Sequence, residues 1–277
     1  MYYVKFKKLI RKTWLFLRIQ TLFSNSYLFA LDYIGLLQGN YVLRFWDGYK
    51  IKLRPHTVDV SDIDILKELV IEDVYKLKSM SKNPRNIVDL GAQIGIFTLL
   101  VAKRYPNAKI ITYEPEKENF RLLVNNIRIN NLKNVKSLNL GVSGKRGKRK
   151  LYLSNSNSGA HSIYGKKGIS YETFRSIKFD DIIKNNGLEY IDILKMDCEG
   201  AEYEILLNAN KYYLKKVDII LMELHETDLT RKKYKPTHLL SMLKASGFKI
   251  SVLKKIYYPD EGKFWIIIAK SQNAPNQ

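Results

Sequence analysis

The sequence predicts an α/β protein built on a seven-stranded, mostly parallel sheet with helices on both faces and an antiparallel edge hairpin. Three observations predict it. After Asn83-Pro84, short β-branched runs (Ile87 to Leu90, Ile110 to Tyr113, Val135 to Leu140) alternate with helical patterns, which calls for a parallel sheet with crossover helices. Val88-Asp89-Leu90-Gly91-Ala92-Gln93-Ile94-Gly95 reads as a strand ending in an acid, then a turn with two glycines, then a helix. The last two apolar runs, Lys249 to Leu253 and Phe264 to Ala269, are joined through Pro259 and Gly262 as antiparallel neighbours.

The elements follow in order. From Lys5 to Phe23, the residues Phe6, Leu9, Ile10, Trp14, Leu17 and Thr21 fall near a 3.6 period, with Lys7, Lys8, Arg11, Lys12 and Arg18 between them: a basic amphipathic helix. Such a helix either caps the core with its lysines in water or makes peripheral contact with an anionic membrane. Tyr41 to Trp46 and Tyr49 to Leu53 flank Asp47-Gly48, the dipeptide of a type I′ hairpin. Ser61 and Asp64 resemble a capping box opening a helix to about Leu77. Crossover helices follow over Ile96 to Tyr105 and Pro115 to Asn130, with Pro115 in the first turn. Tyr190 to Met196 and Val217 to Glu223 supply further strands, making seven in all. The organisation expected is an N-terminal extension over 1–80 packing on the core, a catalytic domain over 81–270 and a disordered tail over 271–277.

Composition bounds the chemistry. The chain has 277 residues, 45% of them apolar, enough to bury a full core unaided. Its single cysteine, Cys198, makes neither an intramolecular disulfide nor a zinc knuckle, so the expectation is a cytoplasmic protein, membrane-peripheral if its first helix binds lipid. No apolar run is long enough to span a bilayer, and Arg18 interrupts the only candidate for a leader. The net charge of +20 predicts attraction to polyanions without choosing among them.

The site is read from the glycine turn outward. Gly91 permits the tight turn and a close approach of ligand, and Gly95 lets the helix pack on the sheet. Glu114 ends the next strand, 23 residues after Gly91, where a carboxylate accepts from both ribose hydroxyls. A dinucleotide fingerprint would put glycines where Gln93 and Ile96 stand, so a nicotinamide or flavin fold would need a degenerate motif. A cofactor without phosphate tolerates side chains there. S-adenosylmethionine meets that condition, and Asp89 can then orient water or hold its ammonium group.

At these residues the sequence resembles the class I S-adenosylmethionine-dependent methyltransferases, a Rossmann-like superfamily, and more narrowly the FkbM family. Asp89 to Phe97 is similar to that family's D-x-G-A-N-x-G-x-F block, with Gln93 for the usual asparagine. Glu114-Pro115 with Asn126-Ile127 and Asn130-Asn131-Leu132 resembles its E-P block and helix end. Lys195-Met196-Asp197-Cys198-Glu199-Gly200-Ala201-Glu202 resembles its K-x-D-x-E-G-A-E signature, and Met222-Glu223-Leu224-His225 its closing strand. The resemblance implies methyl transfer to an oxygen, often a hydroxyl of a sugar or polyketide-like natural product. It places Asp89, Gly91, Ala92, Gln93, Gly95, Phe97, Glu114, Pro115 and Asp197 at the cofactor.

Asp197, Glu199 and His225 converge beside the methyl donor, and any of them can serve as general base. Asp197 and Glu199 are read as orienting and deprotonating the acceptor, with His225 assisting by virtue of an ordinary pKa near 6.5. Clustered carboxylates also bind Mg²⁺ or Ca²⁺; no metal ligand is assigned, and metal dependence stays open. Glu202 is read as a cap or ion pair, and Glu223 as a partner for Lys195. His56, His161 and His238 receive no role. The polar stretch Ser154 to Ser162 is either a loop over the site or a connector, and the basic run Lys145 to Lys150 is read as solvated or phosphate-contacting. The expected activity is O-methylation of a small molecule or glycan. The rival is an RNA methyltransferase, disfavoured because Asp197-Cys198-Glu199-Gly200 stands where amine-methylating enzymes carry a prolyl-aromatic turn. A binding protein on a methyltransferase scaffold is the third reading.

Overall fold

A computed structural model describes residues 15, 17–56, 61–80, 83–154, 157–165, 169–226, 230, 233–258 and 262–272. Residues 17–22 are helical, and α1 spans Tyr27–Tyr33. Strands β1 (Tyr41–Arg44) and β2 (Lys50–Leu53) form a separate antiparallel pair. Helix α2 (Ser61–Leu66) runs directly into a π-helix over Lys67–Glu72. The alternating core then comprises β3 (Asn86–Leu90), α3 (Ile96–Arg104), β4 (Lys109–Tyr113), α4 (Lys117–Ile129) and β5 (Val135–Leu138). After β6 (Gly141–Val142), β7 (Gly147–Tyr152), β8 (Tyr171–Ile177) and α5 (Phe179–Asn186), the chain continues through β9 (Ile191–Met196), α6 (Glu202–Leu207), α7 (Lys211–Leu214) and β10 (Val217–Glu226). It ends in α8 (Pro236–Ala245), β11 (Phe248–Tyr258) and β12 (Gly262–Ser271).

The main sheet has seven strands in the order β11-β12-β10-β9-β3-β4-β5, parallel from β10 to β5 and antiparallel at β12 and β11. Strand alternation divides the core in two. Ile87, Ile110, Ile193, Ile219 and Ile266 point to one face, packed with α3, the π-helix, the β1–β2 hairpin and Ile19 and Phe23. Their neighbours Val88, Ile111, Leu194, Ile220 and Ile267 point to the other, against α5, α6 and α8. The chain leaves β3 toward β4 on one side, while β9 lies on the other. The crevice between the ends of β3 and β9 is therefore the switch point where open α/β sheets take ligands.

Two asparagines of α4 dock the N-terminal hairpin. Asn126 Oδ1 accepts from Lys52 N at 2.7 Å and its Nδ2 donates to Lys52 O; Asn130 repeats the pattern on Lys50 at 2.8 and 2.7 Å. Spaced four apart on one helical face, they satisfy the outer edge of β2 as a neighbouring strand would.

Several expectations need correction. The seven strands expected are those of the main sheet and the expected hairpin is β1–β2, but the small sheet ordered β6-β8-β7 was not expected. The hairpin turn is not type I′: Gly48 alone has positive φ (+91°), Gly48 N donates to Phe45 O, and Phe45 N donates to Tyr49 O. This is the three-residue loop with a glycine bulge. The helix expected to reach Leu77 stops at Glu72, where Asp73 turns left-handed (φ 49°) and its carboxylate accepts from Leu77 N and Lys78 N. Pro115 lies outside α4, whose cap is Glu116, accepting from Glu118 N and Asn119 N. The first helix turns Ile19, not Leu17, to the core; its residues before Leu15 lie outside the described ones. Ser271 closes β12, and 273–277 lie outside the described residues. The basic run is only partly solvated, since Arg146 pairs with Asp181 at 2.7 Å and Arg149 with Glu204 at 3.1 Å.

Candidate active site

A cavity of about 800 Å³ opens at the switch point. The ends of β3, β4, β9 and β10 form its floor, α2 and the π-helix one wall, and the β7–β8 loop its cover. Of the residues expected to hold cofactor, Gly91, Ala92, Gln93, Phe97, Glu114, Pro115 and Asp197 line it. Asp89 and Gly95, also expected there, lie outside the lining. Asp89 is fully buried beneath the floor, accepting from Thr98 Oγ1 at 2.7 Å and lying 3.5 Å from Lys195 Nζ. Gly95 (φ +92°) is where α3 passes α4: a Cβ there would meet Leu123 Cδ1 at 2.5 Å. Gly91, on the lining, also makes room for protein, since its Cβ would sit 1.9 Å from the carbonyl oxygen of Asp197.

Lys195 ties this floor together. Its Nζ donates to Gly91 O at 2.8 Å and lies 3.5 Å from both Asp89 and Asp197. Burial disfavours its ammonium, yet the two aspartates outweigh that and hold it charged above the usual lysine range. Lys195 is thus the partner of Asp89 and Asp197, while Glu223 lies 3.7 Å from His225 Nε2.

On the β4 side, both Glu114 oxygens accept backbone hydrogens, from Gln93 N at 2.8 Å and Glu116 N at 2.9 Å. Burial pushes its pKa up to about 7 against these two donors. Asn119, also on the lining, donates through Nδ2 to Ser158 O, and its buried Oδ1 has no hydrogen-bond partner among the described residues. A carboxylate with open lone pairs and an orphaned amide oxygen fit a nucleoside's ribose hydroxyls and exocyclic amine. The carboxylates of the lining suit a cationic sulfonium with an ammonium group and disfavour a pyrophosphate.

On the β9 and β10 side, Asp197, Glu199, Glu223 and His225 meet. Glu199 sits in a left-handed turn (φ 49°) before Gly200 (φ +98°), held by Ser162 Oγ donating to its carbonyl at 2.6 Å. His225 Nε2 lies 3.4 Å from Glu199, and its Nδ1 lies 3.3 Å from Glu202. Glu202 Oε1 also accepts from Cys198 N and Gly200 N, in the capping role expected of it. Burial works to lower the His225 pKa, but Glu199 and Glu202 outweigh it and hold the imidazole well above its usual value. These carboxylates favour the protonated imidazole over the neutral one that a base would need. Burial, then Asp197, pushes Glu223 well above the ordinary carboxylate range. Cys198 is pushed up by burial and then by Glu202, which leaves a neutral thiol rather than a nucleophile. Asp197, Glu223 and His225 each place one ligand-type atom within 4.8 Å of the others.

The cover is the part sequence reasoning undervalued. Asn157 to Tyr164 line the cavity, including His161, whose Nδ1 accepts from Ser154 N. Ser158 is the anchor: its hydroxyl accepts from Arg54 Nη2 and Gln93 Nε2, and its carbonyl from Asn119. Arg54 and Gln93 share Asp62 as a second partner. One serine therefore joins the hairpin, α2, the glycine turn and α4. Ser158→Ala takes an acceptor from buried Gln93 and half-buried Arg54, so we expect a loss of about 1–3 kcal/mol of stability and faster release of S-adenosylhomocysteine, read by thermal unfolding and stopped-flow dissociation.

The family model described as the methyltransferase FkbM domain matches residues 89–250. Methyltransferase sdnD of Sordaria araneosa is 29% identical over 240 residues, covering 76% of this chain and 90% of that protein. Methyltransferase 1 of Beauveria bassiana is 24% identical over 228 residues, covering 74% and 88%. A solved Pyrococcus horikoshii protein described as a transferase superposes with a TM-score of 0.47 at 17% identity, covering 85% of this chain and 74% of that one. With the glycine turn, the Asp197 to Glu202 signature and the family match all inside one domain, the chain belongs to the FkbM-domain methyltransferases.

Proposed function

We propose that this chain moves a methyl group from S-adenosylmethionine to a hydroxyl oxygen of a sugar, glycan or natural-product-like small molecule. The observation that supports it most is the crowding of Asp197, Glu199 and Glu223 around His225 on the β9–β10 side of the cavity, beside the Glu114 and Asn119 side. When bound, the cofactor supplies an electrophilic methyl carbon that passes to the acceptor as its sulfonium becomes a neutral thioether. Glu114 would hold the ribose hydroxyls and Asn119 the adenine amine. Asp197 and Glu199 orient the acceptor hydroxyl. Asp197 or Glu223 accepts its proton, and burial, then Asp197, holds Glu223 above the ordinary carboxylate range. His225 keeps its own proton and offsets the carboxylates around it. Holding the oxygen in line with the methyl carbon accounts for most of the rate gain.

The same acids argue against a phosphate-rich acceptor at this end of the cavity. The size of the cavity, about 800 Å³, lies in the range of small-molecule sites. The test incubates the purified chain and isotopically labelled S-adenosylmethionine with cell extracts and reads products by mass spectrometry. The expected product is a labelled methyl ether on a hydroxylated small molecule or glycan. Label in tRNA or rRNA would establish the RNA methyltransferase instead, and no heat of donor binding in calorimetry would leave only a scaffold.

A further inference from the structure

We propose that the hydroxyl oxygen of Tyr75 faces the sulfonium of bound S-adenosylmethionine and sets the direction in which its methyl group leaves. The inference rests on the methyl-transfer reading above and adds a residue that lies outside the glycine turn and the Asp197 to Glu202 signature. Tyr75 is 2% exposed, and its ring meets that of Phe97 edge-on at 6.2 Å. Both side chains line the cavity. The Tyr75 hydroxyl has no hydrogen-bond partner among the described residues, and it is not sealed in the core as the orphaned hydroxyl of Tyr203 is. It opens on the cavity instead. A phenol desolvated without a partner costs stability, so its use lies in what enters. The backbone holds it in place. Past the π-helix, Asp73 (φ 49°) and Lys76 (φ 57°) are both left-handed, and Lys76 N donates to Asp73 O at 2.8 Å. Residues other than glycine adopt that conformation at a cost, and two of them flank Tyr75 within one tight loop.

Position in the sheet selects the ligand atom. The nucleoside takes the β4 side with Glu114 and Asn119, and the acceptor takes the β9–β10 side with Asp197 and Glu223. Strand β3 lies between β4 and β9, and Phe97 stands in the first turn of the helix that follows it. Tyr75, packed on Phe97, is therefore at the middle strand, which a methyl group crosses on its way from one side to the other. Charge agrees with position. Burial first, then Asp197, Glu223 and Glu68, holds the phenol protonated. A phenol has one proton to turn toward a carboxylate and lone pairs to offer a cation. A carboxylate at this point would be a nucleophile in the path of the methyl group. The protonated phenol attracts the sulfonium and does not compete for the methyl.

Calorimetry of the full chain with S-adenosylmethionine and with S-adenosylhomocysteine tests this, because the two ligands share nucleoside, ammonium and carboxylate and differ in the methyl group and its charge. Tyr75→Phe keeps the ring on Phe97 and removes only the oxygen. It should weaken S-adenosylmethionine by about three- to fivefold, the worth of one weak oxygen contact, and S-adenosylhomocysteine by less than about twofold. Its unfolding temperature should not fall, since the hydroxyl removed has no partner to lose. Tyr203→Phe removes an orphaned hydroxyl outside the cavity lining and should leave both affinities unchanged. Equal weakening of both ligands by Tyr75→Phe overturns the proposal by assigning the hydroxyl to a part the two have in common. Unchanged binding of both overturns it as well, leaving Tyr75 a plain wall of the cavity, and so does a lowered unfolding temperature with both affinities intact. A native chain that binds neither ligand removes the methyl-transfer reading itself, an outcome distinct from native binding that Tyr75→Phe leaves untouched.

Discussion

Asparagine at position 197 is expected to lower turnover by on the order of 10²–10⁴-fold while changing affinity for S-adenosylhomocysteine by less than about tenfold. The substitution keeps the shape of the side chain and the backbone bond from Asp197 N to Leu90 O at 3.2 Å, so the turn stays in place. It removes a negative charge at 3.5 Å from Lys195, which retains Asp89 and the Gly91 carbonyl. Two consequences follow for the chemistry. The acceptor hydroxyl loses an oxygen proposed to orient it, and Glu223, raised first by burial, loses the negative neighbour that adds to that rise. Glu223→Gln is therefore expected to fall to a similar level, and the double variant to fall little further, because groups that act as a unit are not additive. Single-turnover methyl transfer to the acceptor found in extracts reads all three. Near-normal turnover of Asp197→Asn would remove this residue from proton acceptance.

The sheet was legible in the sequence because its strands are fully buried and β-branched, so each reads as a short apolar run between turn signals. The small second sheet was not. Residues 147–152 run Gly-Lys-Arg-Lys-Leu-Tyr, where exposed cations hide the alternation, and only partners such as Glu204 for Arg149 reveal a buried side. At the site, the glycine turn and the Asp197 to Glu202 run announced themselves by local spacing. Glu223 was legible at the end of a neighbouring strand, but its place beside His225 rather than Lys195 comes only with the fold. Asp89 misled for a related reason. A carboxylate at a strand end looks ligand-facing until Thr98, one turn into α3, and Lys195, from the adjacent strand, are seen to close over it. For His225 the ordinary pKa says base, and only the folded chain brings up Glu199 and Glu202, which outweigh burial and raise it. Ser158 carried no sequence signal, since a serine in a polar loop is ordinary until Arg54 and Gln93 arrive from elsewhere.

Glutamine at position 114 is expected to weaken S-adenosylhomocysteine binding by about 10–100-fold at pH 8 and to flatten its pH dependence. In the free protein, burial raises Glu114 from 4.5 to about 7. A carboxyl whose folded pKa is raised favours folding in its protonated form. Its contribution is fully present below the unfolded value, near 4.5, and is lost as pH rises through about 7. The loss is on the order of 3 kcal/mol for a rise of this size. Binding works in the opposite sense. Ribose hydroxyls donate to the ionised carboxylate, so affinity should climb with pH and be about tenfold weaker at pH 6 than at pH 8, as one proton is released on binding. Glu114→Gln has no proton to release, and it should lose both the affinity trend and the pH-driven fall in stability of the free protein. Calorimetry with S-adenosylhomocysteine across this range, alongside thermal unfolding of the free protein, separates the two effects. An affinity that does not change with pH in the native chain would place the ribose away from Glu114, and the assignment of the β4 side to the nucleoside would fall with it.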